Sequence, residues 1–292
     1  MNHLIEQGVS LIIPVYNEAQ SLPFFLQELE QFLQRIEYPM EVVLVDDGSV
    51  DGTPEILEQL PYKAIRHDVN LGYGAAIKTG IQNADYEAVV ILDSDGTYRF
   101  EDIPLVLENL DQYDMVVGAR TGENVNIPAT RRPAKWVIQK FAAFMVKRPI
   151  PDLNSGLRAF RKESVLELLR LLPDGFSLTT TLTVAFMASG KRVQYIPIDY
   201  RKRSGKSKFH PVRDTWNMIM VILRTIVLIR PLNVFLPLSL TLAILAFLVL
   251  IISKAMGRFM DATFIILIMA SIQMFVLGLI ADLIVRINLW TH

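Results

Sequence analysis

The sequence predicts an α/β domain with a mainly parallel, Rossmann-like sheet, followed by an interfacial helix and a two-helix transmembrane hairpin. Three observations predict it. Short apolar runs alternate with helical segments over residues 1–210, a pattern that indicates βαβ units. Three polar clusters each follow directly on one of those apolar runs. The apolar excess of the chain sits at its C-terminal end.

The elements follow in order. Val9–Ile13 is an apolar run ending at Pro14, and Leu22–Ile36 has helical spacing. Glu41–Val45 reads as a strand ending at Asp46-Asp47, and Thr53–Leu60 as a helix with Asp51 as N-cap. Lys63–Arg66 is a short strand, Gly74–Ala84 a helix, Ala88–Leu92 a strand ending at Asp93, and Met115–Val117 a strand before Gly118-Ala119-Arg120. No internal repeat or low-complexity segment interrupts them.

Beyond residue 210 the pattern changes. Val212–Ile229 is apolar with Arg213, Asp214 and Arg224 interspersed, which suits a helix lying in the membrane interface or, alternatively, docked on the globular domain. Pro231–Ser253 and Ala262–Ala281 carry no charge. Each is long enough to cross a hydrocarbon core of ~30 Å, so spans of about 232–253 and 262–282 are expected. The expected divisions are 1–210, 211–230 and 231–292. The N-terminus lacks the pattern of a signal peptide. Arg201, Lys202, Arg203, Lys206, Lys208, Arg213, Arg224 and Arg230 precede the first span, whereas only Lys254 and Arg258 lie in the turn. The positive-inside rule then places the polar domain and both hairpin ends in the cytoplasm. Ser271 and Gly278 on the second span offer a packing surface for a second copy, a homo-oligomer.

Composition excludes several classes. The 292 residues contain no cysteine, so disulfide scaffolds, Cys-ligated zinc and iron–sulfur clusters are out. A net charge of −1 argues against a general nucleic-acid binder. Charged residues make up 20% and the mean hydropathy is +0.33, which is unusual for a wholly soluble chain.

The polar clusters are Pro14-Val15-Tyr16-Asn17-Glu18, Asp46-Asp47-Gly48-Ser49 and Asp93-Ser94-Asp95-Gly96. Ligands of open α/β sheets bind outside the carboxyl ends of the strands, so these loops should meet on one edge. Asp93 and Asp95 offer two carboxylates two residues apart, which point the same way on extended backbone. Such oxygen ligands suit Mg²⁺ or Mn²⁺ together with substrate phosphates.

The ordered set Pro14–Glu18, Asp46-Asp47-Gly48-Ser49, Asn70-x-Gly72, Asp93-x-Asp95 and Gly118-Ala119-Arg120 resembles the family 2 glycosyltransferases of GT-A fold. Asp152-Leu-Asn-Ser155-Gly156-Leu-Arg158 and Arg203-Ser-Gly205-Lys-Ser207-Lys208 resemble dolichol-phosphate mannose synthase and the bacterial polyprenyl-phosphate glycosyltransferases. The resemblance implies transfer of a sugar from a nucleotide sugar, GDP-mannose or a UDP-sugar, to undecaprenyl or dolichyl phosphate, dependent on Mg²⁺ or Mn²⁺. It implies that Pro14, Tyr16, Glu18, Val45 and Asp47 hold the nucleoside. Asp93, Ser94 and Asp95 would take the diphosphate, with Asp93 and Asp95 as metal ligands. Arg120, Arg131, Arg132 and Lys135 would bind the lipid phosphate, while Asp152, Ser155, Gly156 and Arg158 would line the sugar and acceptor side. Lys208, with Arg201 or Arg203, would contact phosphates. Relatives often carry Gln two residues past the second Asp, where this chain has Thr97.

The chemistry is consistent with those roles. A departing nucleoside diphosphate needs its charge neutralised, by a divalent cation and fixed cations. A lipid monophosphate, with a second pKa of ~6, needs capture by Arg forks rather than a base. Asp95, Arg120 and Asp152 are therefore the candidate catalytic residues, Asp152 either as a base or in orienting the sugar. Competing readings are a processive polysaccharide synthase, for which a Gln-x-x-Arg-Trp motif is lacking, a nucleotidyltransferase, for which a Gly-rich phosphate loop is lacking, and a catalytically silent membrane scaffold.

Overall fold

The computed structural model describes residues 3–122, 132–201, 211–255 and 261–290. Arg131, Arg203 and Lys208 lie outside the described residues, and of Arg132 only the backbone is described. In chain order the elements are α1 (His3–Gln7), β1 (Val9–Val15), α2 (Leu22–Leu33), β2 (Met40–Asp46), α3 (Thr53–Leu57), β3 (Lys63–Arg66), α4 (Tyr73–Asn83), β4 (Ala88–Ile91), α5 (Ile103–Leu107) and β5 (Met115–Ala119). They continue with α6 (Arg132–Val146), β6 (Arg158–Arg161), α7 (Lys162–Leu166), α8 (Leu178–Ala188), β7 (Val193–Pro197), α9 (Pro211–Ile229), α10 (Leu232–Ala255) and α11 (Asp261–Trp290).

The strands form one seven-stranded sheet in the order β3-β2-β1-β4-β6-β5-β7. All neighbouring pairs are parallel except β4–β6 and β5–β6. Every residue of β1 is buried, as expected of a parallel strand covered on both faces. Leu11, Ile13, Leu44 and Val90 face a layer built on α2 and α5. Ile12, Val43, Val89 and Phe160 face α4, α7 and α8. Because β6 alone runs backwards, its N-terminal end lies on the same sheet edge as the C-terminal ends of the others. That reversal brings the 152–157 segment to the edge where the acidic loops stand.

The mainly parallel sheet agrees with the sequence. Two helices are shorter than expected, ending at Leu33 and Leu57. The second expected helix closes in tight turns before Pro61, where Leu60 N–H reaches Leu57 O at 3.2 Å. Asp51 is not the N-cap; Gly52 holds that position. The Asp51 carboxylate instead accepts Thr53 N–H at 3.0 Å and Ala19 N–H at 3.1 Å, stitching the 16–21 loop to α3.

At the C-terminal end, α9 docks on the globular domain. Ile222 and Ile226 are fully buried against Ile138 and Ala142 of α6 and Val184 and Met187 of α8. Trp216, Met220 and Leu228 of the same helix stay exposed. Helices α10 and α11 are long and apolar enough to cross a bilayer, and only 11% of each hydrophobic window is buried. They hold one another through reciprocal bonds, Ser239 Oγ to Ser271 O at 3.0 Å and Ser271 Oγ to Ser239 O at 2.9 Å. A Cβ at Gly278 would lie 2.6 Å from Phe235 Cβ. Ser271 and Gly278, expected to face a second copy, therefore serve the contact inside one hairpin.

Candidate active site

The C-terminal ends of β1, β2 and β4 are adjacent, so Pro14, Tyr16, Glu18, Val45, Asp47, Asp93, Ser94 and Asp95 come to one sheet edge. The first two loops are tied together. Asn17 N–H donates to Ser49 Oγ at 2.9 Å and Val50 N–H to Asn17 Oδ1 at 2.9 Å. Tyr16 is 45% exposed, whereas Val45, expected at the nucleoside, is fully buried in the core beneath α4. The Glu18 carboxylate accepts from Ser21 Oγ.

Asp47 is only 3% exposed. It accepts Leu71 N–H at 3.0 Å and Gly72 N–H at 2.8 Å, and its Oδ1 lies 2.9 Å from His67 Nδ1. His67 Nε2 in turn meets Thr79 Oγ1 at 2.9 Å. This carboxylate thus shapes the wall by holding the 67–72 loop. Gly48 has φ +72°, and a Cβ there would fall 2.4 Å from the Val69 carbonyl carbon, so the turn requires glycine.

Asp93 and Asp95 flank buried Ser94, whose Oγ donates to Pro14 O at 3.0 Å. Tyr73 Oη donates to Asp93 Oδ1 at 2.7 Å. Burial and the neighbouring Asp93 charge push the Tyr73 phenol well above its ordinary range, so it remains a donor. Thr97 is 1% exposed and donates to Asp95 Oδ1 from both N, at 3.1 Å, and Oγ1, at 2.5 Å. Thr97 therefore orients the Asp95 carboxylate. Among the described residues no group of three or more His, Cys, Asp or Glu stands ready to enclose a cation. Two carboxylates separated by one residue, on a turn held by Ser94 and Thr97, fit Mg²⁺ or Mn²⁺, which complete their coordination with water and substrate phosphate.

On the other side of Gly156 lies a cationic cluster. Arg120, directly after β5, grips Asp152 with Nε to Oδ2 at 2.7 Å and Nη2 to Oδ1 at 2.9 Å, and with its backbone N–H at 3.0 Å. Lys135 of α6 lies 3.6 Å from the same carboxylate. Asp152 is wholly buried. Burial alone would raise its pKa, but the Arg120 bonds and charge, together with Lys135, hold it well below the usual carboxylate range. A carboxylate held this way is a weak base, and its ties to Arg120 and Lys135 suit a role in orientation. Burial lowers the Lys135 pKa, and Asp152 restores only part of that loss. The Arg120 guanidinium lies 5.2 Å from the Tyr200 ring centroid.

Ser155 and Arg158, expected to line the sugar and acceptor side, are both fully buried. Ser155 Oγ donates to Gly118 O. Arg158 donates to Ser155 O through Nε at 3.0 Å and Nη2 at 2.6 Å, and to Thr179 O at 3.1 Å and Thr183 Oγ1 at 3.0 Å. It props up the 152–157 segment from behind. Arg201 turns away from the cluster and pairs with Glu28 of α2 at 3.1 Å, although its backbone N–H reaches Thr97 O at 3.0 Å. The sequence reading missed Tyr73, Tyr98 and Tyr200. Tyr98 Oη accepts Gly156 N–H at 2.6 Å. Single aromatics in loops or at a helix start read as packing residues, and only the partners reveal their part in the site.

A mostly parallel seven-stranded sheet with carboxylates directly after its fourth strand is the GT-A architecture of glycosyltransferases. The chain belongs to glycosyl transferase family 2, whose model matches residues 10–169, and is a glycosyltransferase. Residues 230–287 match the GtrB C-terminal hairpin model. The undecaprenyl-phosphate mannosyltransferase of Micrococcus luteus is 28% identical, covering 68% of this chain and 86% of that protein. The dolichyl-phosphate hexose transferase of Haloferax volcanii is 29% identical, covering 70% and 87%. The undecaprenyl-phosphate 4-deoxy-4-formamido-L-arabinose transferase of Pseudomonas savastanoi is 32% identical, covering 70% and 61%. Among solved structures, glucosyl-3-phosphoglycerate synthase of Mycobacterium tuberculosis with Mn²⁺, UDP and phosphoglyceric acid superposes with a TM-score of 0.56 at 16% identity, covering 76% and 78%. At that identity the likeness speaks for the fold.

Proposed function

We propose that this protein is a membrane-anchored, inverting glycosyltransferase that moves a sugar from a nucleoside-diphosphate sugar to a polyprenyl phosphate. The observation that carries the reading is helix α6. It brings Lys135 to the Arg120–Asp152 pair while Trp136 and Phe144 stand exposed on its outside. With exposed Trp216 and Met220 of α9, these side chains suit the membrane interface. A lipid phosphate could then enter the cluster while its chain stays in the bilayer.

In this reading the nucleoside rests at the ends of β1 and β2. The diphosphate lies at Asp93 and Asp95, where a bound divalent cation would neutralise charge on the leaving group. Asp152 holds two of the five guanidinium N–H groups of Arg120, and the rest can meet the acceptor phosphate. Lys135 adds a second cation. Arg131, Arg132, Arg203 and Lys208 are proposed as further phosphate contacts. The acceptor phosphate is already largely dianionic, with a second pKa of ~6, so no general base is required. A phosphate oxygen forms the bond to the anomeric carbon as the bond to the diphosphate breaks. One displacement inverts that carbon, giving a β-linked product from an α-linked donor. The catalytic domain faces the cytoplasm, by the distribution of Lys and Arg around the hairpin.

A radiolabelled transfer assay tests the reading. Full-length protein in lipid receives GDP- or UDP-sugars, Mg²⁺ or Mn²⁺, and undecaprenyl or dolichyl phosphate. Label should enter the lipid fraction from one donor and be lost with EDTA. Failure with every donor and lipid would defeat the proposal, and an α-linked product by NMR would defeat inversion.

A further inference from the structure

Each of the two candidate metal-binding carboxylates is held by a hydroxyl, and the two hydroxyls have different origins. Thr97 is local, two residues from Asp95 in the same turn. Tyr73 is remote in sequence, at the start of α4, and donates to Asp93 at 2.7 Å.

The surroundings of Tyr73 hold it in that place. Its ring stacks on Phe176 at 5.4 Å with an interplanar angle of 7°. Phe176 is itself 79% exposed, so core burial does not explain its position. It is carried by the 172–177 segment, which is strapped down onto α4. Ala75 N–H donates to Asp174 O at 3.0 Å. Lys78 pairs with Asp174 and donates to Leu172 O at 3.2 Å. The approach is close enough to require glycine on both sides of Tyr73. A Cβ at Gly72 would fall 2.5 Å from Asp174 O, and one at Gly74 would fall 2.2 Å from Pro173 O. On its far side Asp93 is pressed against Gly156, where a Cβ would lie 2.0 Å from Oδ2.

We infer that Tyr73 is a positioning residue for Asp93, clamped by Phe176 of the 172–177 strap so that the carboxylate is aimed before a divalent cation and diphosphate arrive. A neutral hydroxyl suits this task, because it fixes the carboxylate without cancelling its charge. Outer partners of metal ligands typically affect metal affinity by about 10–100-fold. The inference rests on the metal-binding reading of Asp93 and Asp95 proposed above.

The test is a Mn²⁺ titration followed by electron paramagnetic resonance, on full-length protein in nanodiscs, with UDP and GDP as probes. Wild type should bind Mn²⁺ in a nucleotide-dependent way, and Asp95→Ala should not. Tyr73→Phe keeps the ring and its stacking; it should weaken Mn²⁺ binding about tenfold while leaving nucleotide affinity in EDTA unchanged. Phe176→Leu, which keeps the hydroxyl but frees the ring, should weaken it less. Mn²⁺ affinity equal to wild type in Tyr73→Phe would overturn the inference and leave the metal site standing. A matching loss of nucleotide affinity in EDTA would overturn it too, because the residue would then be supporting the cleft in general. Absence of nucleotide-dependent Mn²⁺ binding in wild type would defeat the metal reading itself.

Discussion

The two ends of the cleft hold their charges by opposite means. At the acidic end, Asp93 and Asp95 each accept a bond from a neutral hydroxyl, Tyr73 or Thr97. At the cationic end, Arg120 and Lys135 share one buried carboxylate, Asp152. A hydroxyl orients a carboxylate and leaves its charge intact. A buried carboxylate orients a guanidinium and cancels part of its charge. The first arrangement suits a site that attracts a divalent cation. The second suits one that must carry two like charges close together in a partly buried place, where unpaired cations are costly. Among these three described side chains, two cations and one anion leave a single net positive charge.

Substitutions at the two ends should separate these functions. Asp95→Ala should have the largest effect, lowering transfer by about a thousandfold, and extra Mn²⁺ should not restore it. Restoration by Mn²⁺ would mean that Asp95 only tunes the site.

Next in size, Asp152→Ala breaks a buried pair and should cost about 3–5 kcal/mol of stability, read as a lowered midpoint in thermal or denaturant unfolding. Asp152→Asn keeps hydrogen-bonding capacity and should raise the KM for the lipid phosphate more than that for the nucleotide sugar. The pH dependence has a definite sign. The Asp152 carboxyl sits below its unfolded value of ~3.9. Its stabilisation is therefore complete above that value and is lost as pH falls through the lower folded-state value. An acid limb of the rate above pH ~5 should survive in Asp152→Asn. Its disappearance there would identify Asp152 as a base.

Lys135→Arg should move the alkaline limb of the transfer rate upward. Burial makes the lysine lose its proton earlier than an exposed one would, while arginine stays charged throughout. An unmoved limb would place Lys135 outside acceptor binding. The smallest effect belongs to the hairpin, where Ser239→Ala should cost about 0.6 kcal/mol in helix–helix association measured in bicelles.

Much of this was legible in advance. The apolar runs before Asp46, Asp93 and Gly118 are parallel strands, and their periodicity and terminal polar clusters showed it. What stayed unread lies mostly between residues 146 and 200. Strand β6 reads Arg-Ala-Phe-Arg, too short and too charged to announce a central strand, and only its antiparallel insertion buries it. Helix α8 is Leu-Thr-Thr-Thr-Leu-Thr-Val-Ala-Phe-Met-Ala, buried along its whole length, so it lacks the polar face that marks a helix in sequence. In the site, the residue types that carry charge were visible. The assignments of Ser155, Arg158 and Arg201 were not, because direction depends on the reversed strand and on partners such as Glu28 that are distant in sequence.

Gly156 couples the two ends more directly than any hydrogen bond. Its missing side chain leaves room for the Asp93 carboxylate, and its own segment begins at Asp152. The two halves of the site therefore cannot drift independently over evolutionary time. Any step that adds an atom at residue 156 displaces the Asp93 carboxylate. In the mutational landscape of this enzyme, position 156 should behave as a locked junction, intolerant even of alanine.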